Sequence, residues 1–366
     1  MESSSPWPLN VAGLEPIAAE RLEPQAYDYY RSGAGDEITI ARNRSAYERI
    51  ELLPHVLRDV SEVDLGIELL GAPTTPVLVA PTAFHGLADD GGELASSAGA
   101  EAAHAIFCLS TLSNTPIEEV GSAAGPDAQL WFQLYVFRDR GLTASLVERA
   151  EAAGFEAIVL TVDAPVLGRR ERDIANGFSL PAHLSIACVG DAVSADVGTS
   201  GLAAYFASQL DPSLDWSDLE WLVSKTNLPV LVKGVHRADD AERALAAGAR
   251  GVIVSNHGGR QLDTVPATIE MLPAIAAAVG EKAALLVDGG IRRGTDIVKA
   301  LALGADAVLV GRPVLWGLAA AGPEGVRRTL RMLQEELREA MALCGAARVA
   351  DLGPEIVLTP GTLPPQ

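Results

Sequence analysis

The chain's 366 residues hold 28 Lys and Arg against 48 Asp and Glu, a net charge of −20 that excludes a surface built to track nucleic-acid phosphates. Three widely spaced cysteines, Cys108, Cys188 and Cys344, form neither a disulfide framework nor a zinc spacing, which points to a reducing cytoplasm. No apolar run is long enough to cross a bilayer, and the opening stretch has no basic segment followed by an apolar one; a soluble cytoplasmic protein without membrane partners is expected.

With 48% hydrophobic residues and no Pro/Ser-rich linker, the chain is expected to bury one large core as a single domain over residues 1–366. Residues 1–9 are Ser/Pro-rich and read as a loose tail. Helices are predicted over residues 13–22 and 25–32, the second stopped by Gly33-Ala34-Gly35. Tyr27, Tyr29 and Tyr30 cluster on it, a grouping that core packing alone can explain. Residues 52–70 read as an irregular or short-strand lead-in.

From Thr75 onward short apolar runs recur, each followed by a turn and an Ala/Glu/Leu-rich helical stretch. They begin at Val77, Ile106, Leu130, Ala157, Val230, Val252, Ala284 and Val308. Eight strand-helix units predict a closed (β/α)8 barrel over about residues 75–320, preceded by the helical segment. No Gly-x-Gly-x-x-Gly follows the first strand, so a dinucleotide fold lacks its main support. Residues 172–212, between the fourth and fifth strands, read as a lid-like loop, and within it 186–201 has no periodicity and suits a disordered loop equally well.

In such a barrel the carboxyl ends of the strands build the active site. In chain order they deliver Pro81-Thr82-Ala83-Phe84, Ser110-Thr111-Leu112, Gln133-Leu134-Tyr135, Thr161-Val162-Asp163 with Arg170, Lys233, Ser255-Asn256-His257 with Arg260, Asp288-Gly289-Gly290 with Arg292, and Gly311-Arg312. One such residue is commonly an ion-pair partner or a cap, but a core needs none of the eight. Glycines and arginines after the last two strands suit a phosphate. Lys233 with Gln133, Thr161 and Ser110 suits a planar polar ring that becomes anionic on reduction, and flavin mononucleotide (FMN) combines the two. His257 with Arg260 suits a substrate that has a proton to lose and a carboxylate to hold, and Asp163 is placed to stabilise the protonated imidazole.

These motifs resemble the FMN-dependent α-hydroxy-acid oxidases, the family of glycolate oxidase, lactate oxidase and the mandelate-oxidising enzymes. The resemblance runs from Tyr27-Asp28-Tyr29-Tyr30 through Ser255-Asn256-His257-Gly258-Gly259-Arg260-Gln261-Leu262-Asp263 and Asp288-Gly289-Gly290-Ile291-Arg292-Arg293-Gly294 to Gly311-Arg312-Pro313. It implies that His257 is the base, Asp163 its partner and Tyr135 a contact to the substrate hydroxyl. Arg170, Arg260 and Tyr29 would bind the carboxylate, with Leu112 and Phe84 beside the substrate side chain. Pro81, Thr82, Ala83, Ser110, Gln133, Thr161, Lys233, Ser255, Asp288, Gly289, Gly290, Arg292, Gly311 and Arg312 would hold FMN.

Where glycolate oxidases carry a Trp two residues after the strand-two Ser, this chain has Leu112, and the runs 83–88 and 176–184 look closest to 4-hydroxymandelate oxidases. The expected reaction is oxidation of an (S)-2-hydroxy acid, mandelate or 4-hydroxymandelate, to the 2-keto acid with reduction of oxygen to peroxide, in a homotetramer. A dehydrogenase with a quinone or protein acceptor, and an L-lactate oxidase, are the alternatives. A non-catalytic FMN-binding protein would need none of the His, Asp, Arg and Tyr set.

Overall fold

Alternate residues of a strand face opposite ways, so a strand that is apolar throughout must be covered on both sides. All eight apolar runs meet that condition in the computed structural model, which describes residues 7–190, 205, 208–359 and 361. They form β1 (Val77–Val79), β2 (Phe107–Ser110), β3 (Leu130–Leu134), β4 (Ala157–Thr161), β5 (Val230–Val235), β6 (Gly251–Val254), β7 (Ala284–Asp288) and β8 (Ala307–Val310). Neighbours are parallel throughout, and the pairing of Val77 with Val308 closes the sheet into a barrel in the order β7-β8-β1-β2-β3-β4-β5-β6.

The alternation sorts the core into two layers. Leu78, Cys108, Val159, Leu231, Ile253 and Leu286 fill the barrel interior, while Val79, Phe132, Ile158, Val232 and Val254 pack outward under the helices. Leu69, from an antiparallel hairpin of Ile67–Leu69 with Ala72–Thr74, joins the interior cluster and stops the barrel at its amino-terminal end. Polar strand-end residues therefore collect at the opposite, carboxyl end.

Helices α1 (Leu14–Arg21) and α2 (Pro24–Arg31) stand where the sequence predicts them. A third, α3 (Ile38–Glu48), was not expected, because its buried face is half polar: Thr39 and Asn43 are buried with Ala46 and Tyr47. The last helix, Arg312–Cys344, starts directly after β8 and breaks at Ala321 and Gly322, where Gly322 takes φ 56° ahead of Pro323. The lead-in region contributes Glu51–Leu52, which pairs antiparallel with Val357–Leu358 near the chain's end. After β4 the chain forms a short helix, Glu171–Ala175, and a segment that can be followed to Gly190. Residues 191–204, the centre of the candidate lid, lie outside the described residues, as do residues 1–6 of the tail. Among the described residues no helix is long and apolar enough to cross a membrane, and all three cysteines are free and buried.

Candidate active site

A cavity opens at the carboxyl ends of the strands, and nearly every site residue expected from the sequence lines it. Ser110, Thr161 and Asp288 end their strands, Gln133 and Lys233 lie just inside the carboxyl ends of β3 and β5, Pro81, Thr82 and Ala83 follow β1, Leu112 and Tyr135 follow β2 and β3, and Gly289, Gly290, Arg292, Gly311 and Arg312 follow β7 and β8. His257 and Arg260 come from the turn after β6, Arg170 from beyond β4, and Tyr29 from α2. Three expected residues do not line it. Asp163 and Ser255 stand behind residues that do. Phe84, expected beside the substrate, is fully buried and packs against Tyr29 with ring centroids 5.6 Å apart. Its φ of 62° turns the side chain out of line with Ala83, and a sequence does not announce a left-handed phenylalanine.

The turn that carries the histidine is left-handed at three successive residues, His257 (φ 57°), Gly258 (φ 64°) and Gly259 (φ 79°). A side chain at Gly259 would come within 2.8 Å of the Ile40 backbone nitrogen, so α3 seats directly on this turn. Asn43 and Asn256 lock the contact with a reciprocal pair of hydrogen bonds of 2.9 and 2.8 Å. Neither was singled out from the sequence. Asn256 sits inside the conspicuous motif, but its partner lies on the helix that was missed.

His257 Nδ1 lies 2.9 Å from Asp163 Oδ1, which leaves Nε2 for the cavity. Burial depresses the imidazole pKa by more than the neighbouring carboxylate raises it, so the resting ring is neutral. Burial also works against charge on Asp163, but His257, Lys233 and His236 outweigh it and hold the carboxyl below its usual range. Gln261 fixes the segment from behind by donating to the Asp163 carbonyl at 3.1 Å.

Two guanidiniums flank Tyr29. The Arg260 carbon lies 4.9 Å and the Arg170 carbon 6.0 Å from its ring centroid, and Phe178 stacks on the same ring at 4.4 Å. Arg260 also donates to the Ser32 carbonyl at 3.1 Å. Burial, and then the charge of Arg260, pulls Arg170 down to about 10. Tyr135 is pushed upward by burial and then by Asp163, and stays a protonated donor.

On the far side, Lys233 Nζ is 3.3 Å from Asp288 Oδ2 and 3.0 Å from Ser255 Oγ, which in turn donates to the same carboxylate at 2.9 Å. Burial would neutralise Lys233, but Asp288 and Asp163 raise its pKa overall, so it is charged. Burial and then Arg44 pull Arg292 down to about 10, and burial followed by Arg260 and Arg292 lowers Arg312 well below its ordinary value. Arg312 spans three backbone carbonyls, those of Tyr30 at 2.9 Å, Gly258 at 3.0 Å and Ser32 at 3.0 Å. Gly290 (φ 84°) faces Asn43, whose carbonyl oxygen would be 2.0 Å from any Cβ there.

The cavity is therefore built for an anion that also carries a polar ring. Lys233, Arg170, Arg260, Arg292 and Arg312 line the cavity with a single carboxylate, Asp288, while Asp163 stands behind His257, in a chain of net charge −20. Two buried polar atoms on cavity-lining residues, Gln133 Nε2 and Asp288 Oδ1, have no protein partner. Such atoms call for a ligand, because each left unpaired is costly. A phosphate among the arginines and a heterocycle with donors and acceptors near Gln133 satisfy both demands, so these residues fit FMN.

Residues 18–359 match the family of FMN-dependent dehydrogenases. The chain belongs to that family. An L-lactate oxidase from Nostoc sp. is 53% identical over 94% of this chain and 96% of its own length. A glycolate oxidase from Oryza sativa is 48% identical over 96% of each. Among solved structures, mandelate oxidase with (S)-4-hydroxymandelic acid superposes with a TM-score of 0.90 at 44% identity, over 94% of this chain and 97% of that one. This member of the FMN-dependent dehydrogenases is an oxidoreductase of 2-hydroxy acids with FMN as its cofactor.

Proposed function

We propose that the protein oxidises an (S)-2-hydroxy acid with a bulky side chain, mandelate or 4-hydroxymandelate, to the 2-keto acid, with oxygen as acceptor and peroxide as co-product. The observation that carries this reading is the pairing of Arg170 and Arg260 around Tyr29 in a cavity that also contains neutral His257 and the apolar side chain of Leu112. The guanidiniums hold the carboxylate, and Tyr29 and Tyr135 add hydrogen bonds to it and to the hydroxyl. His257 takes a proton at Nε2, and Asp163 stabilises the imidazolium through Nδ1. Arg292, Arg312, Gly290 and Gly311 hold the cofactor phosphate, while Lys233, Gln133, Thr161, Ser110, Ser255 and Asp288, with the 81–83 segment, hold the ring system. When bound, FMN supplies the two-electron acceptor.

Leu112 is what separates a large from a small substrate in this reading: an aryl group against it buries apolar area at roughly 25 cal/mol per Å², a gain glycolate lacks. L-lactate is the second reading, favoured by the 53% identity to a lactate oxidase. The names of the relatives support oxygen as acceptor, since those at 47–53% identity are oxidases. Anaerobic bleaching of the flavin by S-mandelate, 4-hydroxymandelate, L-lactate and glycolate distinguishes the readings. Mandelates are expected to give the highest kcat/KM, then lactate, then glycolate. A preference for glycolate removes Leu112 from its role, and lack of peroxide under air removes the oxidase assignment.

A further inference from the structure

Beside the cavity, and outside the machinery described above, lies a buried histidine whose ring nitrogens both face hydroxyls. His85 is 1% exposed; its Nε2 is 2.5 Å from Thr82 Oγ1 and its Nδ1 is 2.6 Å from Ser96 Oγ. Its backbone N–H donates to Glu93 Oε1 at 3.1 Å, and the same buried carboxylate accepts from Asn114 N and Thr115 Oγ1, both at 3.0 Å. Thr82 lines the cavity, whereas Ser96 belongs to the helix Gly92–Glu101, does not line the cavity, and is joined to Thr82 through the His85 ring.

Between Thr82 and His85 the chain passes through Phe84 in the left-handed region, φ 62°, a conformation costly for a bulky side chain. Several contacts over-determine this turn. Tyr30 donates its hydroxyl to the Phe84 carbonyl at 2.5 Å, and Phe84 N donates to the Leu112 carbonyl at 3.2 Å. Burial keeps the His85 imidazole neutral despite Glu93. A neutral ring has one donor and one acceptor, so its tautomer also decides whether Thr82 gives or takes a hydrogen bond there.

We propose that His85 is a positioning residue for the cofactor: by tying Thr82 to Ser96 across the left-handed Phe84 it holds the Pro81–Ala83 segment, and the Thr82 hydroxyl, in one arrangement against FMN, and so sets how tightly the oxidised and reduced cofactor are held. The proposal rests on the cavity being the FMN site and is independent of the substrate assigned above. Its signature is action at a distance through the ring, so that Ser96, remote from the cavity, affects the cofactor as Thr82 does.

The test uses the holoenzymes of Ser96→Ala, Thr82→Val, their double variant, His85→Gln and His85→Phe, each measured for FMN affinity, flavin midpoint potential and Tm. Ser96→Ala and Thr82→Val are expected each to change the relative affinity for the two redox states about tenfold, read as a shift of about 30 mV for a two-electron couple. The double variant should shift no further than either single one, and His85→Gln should restore part of the parental potential relative to His85→Phe. If Ser96→Ala lowers Tm but leaves FMN affinity within twofold and the potential at the parental value, His85 is a packing residue and the proposal is wrong. Should the His85 variants fail to fold, Ser96→Ala and Thr82→Val alone decide it.

Discussion

His257 Nδ1 and Asp163 Oδ1 meet at 2.9 Å in a setting where burial, not the carboxylate, dominates the imidazole. The imidazole is thus kept neutral at rest, while an anion stands beside it that would stabilise the protonated ring. Because the His257 pKa lies below its ordinary 6.5, the acid limb of kcat/KM should fall below pH 6.5 and activity should be flat through neutrality. Asp163 raises that pKa, so Asp163→Asn should move the limb to still lower pH and reduce the plateau by about 10²-fold or more. A limb that moves to higher pH in this variant would show that Asp163 does not act through the imidazole.

Arg312 serves the cavity and also three backbone carbonyls, so its loss should be felt twice. Arg312→Ala should weaken FMN binding at least about tenfold, in line with roughly 1.5–3 kcal/mol for a charge-assisted contact. Fluorescence titration of the apoprotein reads the affinity, and a lower Tm of the apoprotein reads the carbonyls. Unchanged FMN affinity removes Arg312 from the phosphate site.

Gly290 allows the turn after β7 to lie against α3. Gly290→Ala introduces a Cβ 2.0 Å from the Asn43 carbonyl oxygen at a φ of 84°, which must displace either the helix or the turn. Overpacking of this kind costs about 1–3 kcal/mol, and thermal melts should show a Tm lower by several degrees with weaker FMN retention. A variant with parental Tm and parental FMN content would mean the turn does not need α3.

Leu112 is 4% exposed and lines the cavity. Leu112→Trp should raise KM for mandelates far more than for glycolate, since steric overlap costs roughly 1–3 kcal/mol. Equal effects on the two substrates place Leu112 away from the substrate side chain.

The barrel was legible because its strands are buried on both faces and write themselves as apolar runs; the structure moves most of their ends by a residue, as at Gly251 and Ser110, and extends β5 by three to Val235. The cavity's lining was legible because polar groups follow all eight apolar strands, which a core does not need, although any one of them is commonly an ion-pair partner or a cap. What was not legible depends on tertiary partners. Helix α3 hides because Thr39 and Asn43 supply its buried face, and the Asn43 amide pairs with Asn256, far away in sequence. Phe84 was misplaced because its φ is set by Tyr30 and Leu112 rather than by its neighbours in the chain.

The most direct measurement is the rate of anaerobic flavin reduction by S-mandelate in the His257→Gln holoenzyme. Glutamine retains size and polarity at this position without basicity, so FMN should remain bound while reduction slows by about 10²–10⁴-fold. Reduction at the parental rate, with FMN fully bound, would contradict the assignment of His257 as the base.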